Sequence, residues 1–138
     1  TEITDAVNAL SKLTGRPTML FRPPYGAHNE RIDAMMAKQN LAMINWAADS
    51  NDWQNRDAGK ITKAVSQYAA TYTQPIIVLQ DTYSSTADAT SGIIEALRHN
   101  GMTLVTVSEL TVNTGGLETG KVYCRGTAVN QNGFGCHN

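Results

Sequence analysis

Hydrophobic residues recur at helical spacing along four stretches of the chain, and short apolar runs separate these stretches. In the first stretch, apolar side chains repeat every three or four residues up to Gly15 and Pro17, which end the helix. The predicted helices cover residues 2–15, 29–39, 58–71 and 87–100, and Asn29 can cap the second of them. The apolar runs predict strands at 18–21, 41–46, 76–79 and 102–107.

The order of these elements predicts an α/β fold with parallel strands, because a parallel pair needs a crossover that a helix provides. The runs at 76–79 and 102–107 are apolar throughout, which is typical of strands covered on both faces. A complete sheet or barrel of this kind has more than four strands. We therefore expect the chain to form the second half of a larger α/β domain.

A glycine-rich tail without helical periodicity follows, so we predict a domain over residues 1–112 and a loop-rich cap or short hairpin over 113–138. The tail holds both cysteines of the chain, Cys124 and Cys136. A metal site would need more soft ligands, whereas a pair that closes a short loop suits a disulfide in an oxidising compartment. Two free thiols are the alternative. A disulfide would fit a secreted protein whose leader has been removed.

Composition limits the partners. The 138 residues include 11 basic and 12 acidic side chains, so no net charge draws the chain to nucleic acid or to an anionic membrane. No apolar run reaches the length that a membrane span needs. Abundant small polar residues are common in secreted proteins that handle carbohydrate, and we expect a neutral partner.

The first candidate site is Arg22-Pro23-Pro24-Tyr25-Gly26, directly after the first predicted strand. Two prolines fix their own φ and keep each preceding residue extended, so a stiff turn follows the strand. Such a turn can aim backbone N–H groups and one arginine at a fixed point, as α/β folds do at strand ends. An ordinary turn with a surface arginine is the alternative.

Two further segments follow predicted strands. In Asp49-Ser50-Asn51-Asp52-Trp53, a carboxylate next to an aromatic platform suggests a sugar site, since apolar sugar faces stack on such rings. The alternative is a turn capped by Asp49 or Asp52, with Trp53 buried as filler. Leu79-Gln80-Asp81-Thr82-Tyr83 follows the third strand, where Asp81 could instead cap the next helix.

Together these segments resemble the polysaccharide deacetylases, the NodB-homology domain of carbohydrate esterase family four. The segment 22–26 matches the family's third motif without a substitution, and 49–53 resembles the fourth. Residues 75–90 resemble the fifth motif with its strand and helix, and 103–110 resemble the closing strand and the turn after it. The resemblance spans residues 1 to about 112 and implies the second half of an irregular (β/α) barrel.

The resemblance implies hydrolysis of acetyl groups on a polysaccharide, from N-acetylglucosamine units of chitin or peptidoglycan type or from acetylxylan. Among the catalytic residues, Arg22 would hold the base aspartate, the Tyr25 N–H would stabilise the oxyanion and Asp52 would orient the catalytic acid. The implied substrate-binding residues are Pro24, Trp53, Leu79 and Gln80, with Trp53 as one wall of the groove and Leu79 beside the acetyl methyl.

The resemblance also implies a divalent metal, usually Zn²⁺. The two motifs that carry its aspartate and histidines, and the base aspartate, are absent from this sequence. We expect them upstream, on a complementing N-terminal fragment of the same domain or on the part lost from a truncated chain. The histidines present, His28, His99 and His137, have no partner at a metal-binding spacing and are predicted to be surface residues.

One departure from the family affects the chemistry directly. The fifth motif places a histidine, the general acid, just before the aspartate of the third strand, where this chain has Gln80 before Asp81. A substitution, a one-residue deletion or a misread residue would each explain it. Glutamine cannot donate a proton at neutral pH. Two hypotheses follow: part of an active secreted deacetylase, or a deacetylase-like carbohydrate-binding protein with little catalysis.

Overall fold

The computed structural model of the protein describes residues 2–129 and Cys136. Over these residues, helices and short strands alternate as the sequence predicts. The helices are α1 (Glu2–Thr14), α2 (Glu30–Lys38), α3 (Ala58–Thr71), α4 (Ser84–His99) and α5 (Val107–Thr111). The strands are β1 (Leu20–Phe21), β2 (Ala42–Ile44), β3 (Ala48–Asp49), β4 (Ile77–Val78), β5 (Val122–Tyr123) and β6 (Ala128–Val129).

Side-chain caps define where three of the helices begin. The Asn29 side chain accepts a hydrogen bond from the Ile32 N–H at 3.0 Å, and Asp57 accepts one from the Lys60 N–H at 2.8 Å. These bonds satisfy donors that a helix N-terminus leaves unpaired. Thr106 and Glu109 form a reciprocal capping box at the start of α5.

The strands form two small sheets. In the first, β1, β2 and β5 are parallel neighbours, and β6 runs antiparallel to β5 at the edge. In the second, β3 and β4 are parallel. The parallel pairing of β1 with β2 and of β3 with β4 confirms the α/β prediction, because α2 and α3 form the crossovers.

Each sheet has a separate hydrophobic core. The first core lies between α2 and the sheet that contains β2, and the second lies between α3, α4 and the sheet that contains β4. The buried residues of the first are Met36, Leu41, Met43, Ala47, Val122 and Cys124. Those of the second are Ile61, Val65, Ala69, Ala89, Ile93 and Leu97. Helices α3 and α4 supply all six buried residues of the second core, so helix periodicity accounts for that core. In the first core only Met36 lies in a helix, and the other five lie in or next to strands.

The strand predicted at 102–107 is wrong. Residues 102–106 belong to no strand, and α5 begins at Val107. Leu104 is 43% exposed and Val105 is 49% exposed, so the apolar side chains that favoured a strand are left in solvent. A strand is stable only when it pairs with a neighbouring strand, and among the described residues no strand pairs with residues 102–106.

The tail contributes to the sheet. Cys124 and Cys136 form a disulfide with their Cα atoms 5.9 Å apart, as predicted. The hairpin of β5 and β6 places β5 beside β2, which the sequence analysis did not anticipate. The division of the chain at residue 112 stays a prediction. Over the described residues, no helix combines the length and the apolar character needed to cross a membrane.

The capping box of α5 predicts a pH dependence. A hydrogen bond from the Thr106 backbone N–H lowers the pKa of Glu109 below its usual 4.5, and a bond from the Thr106 hydroxyl adds a smaller effect. A carboxyl whose pKa is lowered by folding stabilises the fold above its unfolded pKa, and this contribution disappears as the pH falls through the folded pKa. The Thr106 amide proton followed by NMR should therefore titrate with a midpoint below 4.5.

The matched control is Glu109→Gln, which can keep the backbone bond of a capping box but does not titrate. In that variant the Thr106 amide shift should stay constant between pH 2 and 6. A midpoint at or above 4.5 in the natural chain would contradict the predicted direction.

Candidate functional site

The turn after β1 is as rigid as its prolines predict. Pro23 is extended, and residues 24–26 form a single 3-10 turn closed by a hydrogen bond of 2.9 Å from the Gly26 N–H to the Pro23 carbonyl. Tyr25 has a left-handed φ of 58°, an unusual conformation for a side chain of its size. Its ring is 90% exposed. The turn therefore holds the Tyr25 peptide in one orientation and leaves the ring free to meet a partner.

The side chain of Asn45 holds this turn in place through a hydrogen bond. It is buried directly after β2, and its Nδ2 donates to the Gly26 carbonyl at 3.0 Å. A Cβ on Gly26 would lie 3.3 Å from that nitrogen, and Gly26 also has a φ of 68°, so only glycine fits without strain. The Asn45 Oδ1 is buried without a hydrogen-bond partner among the described residues.

Arg22 extends from the same turn over the ring of Trp46, with 4.6 Å between the guanidinium carbon and the ring centroid. The Trp46 Nε1 donates to Asp49 Oδ2 at 3.0 Å. The other Asp49 oxygen accepts from the Asn51 N–H at 2.9 Å, so Asp49 caps its own turn. This arrangement fixes Arg22 against the loop that leaves β2. Its role toward a base aspartate stays a prediction.

Asp52 links two loops. It is only 1% exposed, and its Oδ2 accepts hydrogen bonds from the Gln80 N–H at 2.6 Å and from the Thr86 hydroxyl at 2.7 Å. Asp52 thus makes long-range contacts, whereas Asp49 makes the local ones. Asp81 is exposed and does not cap α4, whose N-cap residue is Tyr83 without a side-chain cap bond.

The predicted substrate-binding residues differ in exposure. Trp53 is 50% exposed, which excludes its role as buried filler. Pro24 is exposed, while Leu79 and Gln80 are half-buried. Each of the four stands in a loop that follows a strand. Their contacts with a sugar stay a prediction.

Direct contacts join these loops into one surface. Asn45 and Trp46 connect the turn after β1 to the loop after β2, and Trp46 also bonds to Asp49 at the end of β3. Asp52 then connects the loop after β3 to the loop after β4. Sequence reasoning missed Asn45, Trp46 and Thr86 as supports. An asparagine beside an apolar run was a usable signal, because a buried amide needs partners. No local signal indicated Thr86, which lies 34 positions from Asp52.

The part of the chain that the structure describes contains no cluster of three or more His, Cys, Asp or Glu side chains suited to a metal. The prediction of a surface position is wrong for His28, whose side chain is 4% exposed and whose Nδ1 lies 3.1 Å from Asp33 Oδ1. Helix α2 begins at Glu30, and its first turn places Asp33 next to His28. His99 is exposed, as predicted, and His137 lies outside the described residues. The described side chains therefore do not fit a catalytic metal.

Comparison with known proteins agrees with the resemblance in the sequence. A family model described as polysaccharide deacetylase matches residues 1–44. The peptidoglycan-N-acetylmuramic acid deacetylase PdaC of Bacillus subtilis is 35% identical over 109 residues, which are 79% of this chain and 22% of that protein. A bifunctional xylanase/xylan deacetylase of Cellvibrio japonicus is 34% identical over 63% of this chain and 13% of its own length.

A solved structure shares the architecture. The family 4 carbohydrate esterase from Streptomyces lividans, in complex with acetate, superposes with a TM-score of 0.68 at 29% identity. The match covers 84% of this chain and 57% of that one. The fold is thus the NodB-like deacetylase fold, of which this chain spans little more than half.

Proposed function

Because the chain belongs to the polysaccharide deacetylase family, we propose that it supplies the C-terminal part of a secreted deacetylase that removes acetyl groups from a polysaccharide by metal-assisted hydrolysis. The substrate would be N-acetylated peptidoglycan or chitin, or O-acetylated xylan. The observation that carries the proposal is a chain of contacts that runs from Arg22 to Trp46, from Trp46 to Asp49 in the segment of Asp52, and from Asp52 to Gln80.

The chemistry assigned to this chain is binding and charge stabilisation. Water adds to the acetyl carbonyl, and negative charge develops on the carbonyl oxygen in the transition state. A backbone N–H in a rigid turn stabilises that oxygen without reorganising, and the Tyr25 N–H is the candidate donor. Arg22 would orient the base aspartate, and Trp53 would stack on an apolar face of the sugar.

The amine or alcohol that leaves needs a proton. In this chain the Asp52 carboxylate faces the Gln80 N–H and the Thr86 hydroxyl, and Gln80 itself has no proton to give at neutral pH. The described residues thus stabilise the oxyanion but do not supply the general acid, and we expect slow turnover.

The metal, which we propose to be Zn²⁺, would polarise the carbonyl when bound. Because the described residues form no ligand set, its ligands would come from the complementing N-terminal part.

An open hydrophobic groove supports the proposal that a complementing N-terminal part binds to this chain. The groove has a volume of about 590 Å³ and lies between the end of β4 and residues 102–105. Ile77, Leu104 and Val105 line it, and the two last are half exposed. An apolar strand inserted here would pair with backbone that has no sheet neighbour and would cover these side chains.

Complementation is testable by mixing the chain with the upstream part of a deacetylase domain and Zn²⁺. We expect acetate release from acetylated oligomers only in the mixture. Leu104→Glu should abolish it, because a charge would be buried in the groove. Tyr68→Glu, at a comparably exposed position on α3, should leave it unchanged.

Failure of the two parts to associate, or equal effects of both variants, would contradict complementation through this groove. Association with sugar binding but without acetate release would instead support the second candidate function, a carbohydrate-binding protein. The absence of a histidine at Gln80 favours that candidate.

Secretion belongs to the same proposal. The disulfide between Cys124 and Cys136 supports it, since such bonds persist in oxidising compartments.

A further inference from the structure

Arg56 lies in the same loop as Trp53, the residue proposed to stack on the sugar, and it has no role in the proposed hydrolysis. Its guanidinium carbon is 3.3 Å from the centroid of the Tyr83 ring, a cation–π contact that fixes an exposed side chain. Within residues 2–129, no carboxylate forms an ion pair with it. The carboxylate of the neighbouring Asp57 accepts a hydrogen bond from the Lys60 N–H at the start of α3 and does not pair with Arg56. Arg56 is thus an immobilised cation with its charge open to a ligand.

The position of this cation is fixed by the loops that form the site. Arg56 stands three residues after Trp53, beyond a turn in which the Gln54 and Asn55 N–H groups both donate to the Asn51 carbonyl. Tyr83 stands three residues after Gln80, and its N–H donates to the Gln80 carbonyl at 3.4 Å. Two contacts therefore join the same pair of loops, one from Asp52 to Gln80 and one from Arg56 to Tyr83.

A stacked guanidinium recognises a specific kind of ligand. Stacking occupies the face of the group and leaves the N–H donors at its edge, which match the two oxygens of a carboxylate. A lysine would offer a point charge without that planar match. Unmodified N-acetylglucosamine and xylose units carry no anion, whereas an N-acetylmuramic acid unit without an attached peptide carries a free lactyl carboxylate.

We propose that Arg56 makes the site selective for acetylated polysaccharide that carries a carboxylate on the sugar, as a muramic acid unit does, over neutral chains. This inference rests on the proposed function, because it places a sugar chain against Trp53. Arg56 is the specificity-determining residue, and Tyr83 holds it in place.

The test compares two oligomers of equal length, one of N-acetylglucosamine alone and one that alternates N-acetylglucosamine with N-acetylmuramic acid. Calorimetry on the complemented domain, with chelator present to prevent hydrolysis, gives both dissociation constants. We expect tighter binding of the acidic oligomer. Arg56→Gln should weaken that binding about tenfold, because a charge-assisted pair is lost, and should leave the neutral oligomer unchanged. The Arg56→Lys variant should retain only part of the natural chain's preference for the acidic oligomer.

Arg98→Gln is the matched control, since Arg98 is an exposed arginine in the last turn of α4. It should change neither constant. Raising the salt concentration should reduce the preference of the natural chain and have no such effect on Arg56→Gln. Equal affinity for both oligomers in the natural chain, or an equal loss for both in Arg56→Gln, would overturn the inference while leaving the proposed function intact. Binding of neither oligomer would overturn both.

Discussion

A histidine introduced at or directly after position 80 should raise acetate release by the complemented domain about a hundred- to ten-thousandfold. The resemblance to the family implies that Gln80 occupies the position of the general acid, and its amide cannot supply a proton to the leaving group. We expect the buried Asp52 carboxylate to orient the new imidazole, because its Oδ2 already lies 2.6 Å from the backbone nitrogen of residue 80. The gain should appear in kcat, since the proton is transferred only in the transition state.

The measurement needs two histidine variants, because either the substitution Gln80→His or an inserted histidine could place the ring correctly. Matched controls carry asparagine at 80 or an inserted glutamine, which change the same positions without adding an acid. The active variant should also gain a limb in its pH profile near the usual histidine pKa of about 6.5. If all four variants released acetate at the natural rate, the assignment of Gln80 to the general acid position would be wrong.

Replacement of Asp52 by alanine should lower the free energy of unfolding by about 2–3 kcal/mol. The reason is that one carboxylate oxygen serves two donors, the Gln80 N–H and the Thr86 hydroxyl, in a position that water does not reach. Both donors would be left buried and unpaired. The loop after β3 would also lose one of its two connections to the loop after β4 and keep only the Arg56–Tyr83 contact, so sugar binding should weaken together with stability.

Urea unfolding followed by circular dichroism measures this change. Asp88→Ala removes an exposed carboxylate from α4 and should shift the free energy by less than about 0.5 kcal/mol. Thr86→Val removes one of the two donors and should cost less than Asp52→Ala. In a double-mutant cycle the two effects should not add, because Thr86 and Asp52 share a hydrogen bond. Identical midpoints for Asp52→Ala and Asp88→Ala would contradict the role of Asp52 as a buried link.

The sequence was most informative where a signal is local. The bounds of α3 were predicted to the residue, and Asn29 was identified as the cap of α2, because periodicity and capping depend on neighbours within a turn. Helix α4 begins three residues earlier than predicted, at Ser84. The apolar pattern at 102–107 has strand character, but a strand needs a partner. Residues 102–105 instead line an open groove, and α5 begins at Val107.

The candidate site also combines features that local sequence signals predicted with contacts that depend on the tertiary structure. The sequence alone specified a stiff turn at 22–26, because proline and glycine restrict φ whatever surrounds them, and it pointed to Asp52 and Trp53 as a carboxylate beside an aromatic ring. Only the tertiary structure decided that Asp52 pairs with Gln80, that Arg22 lies on Trp46 and that Arg56 lies on Tyr83. These contacts join residues that are 24 to 28 positions apart. Such contacts depend on which strand ends become neighbours, and no periodic pattern encodes that choice.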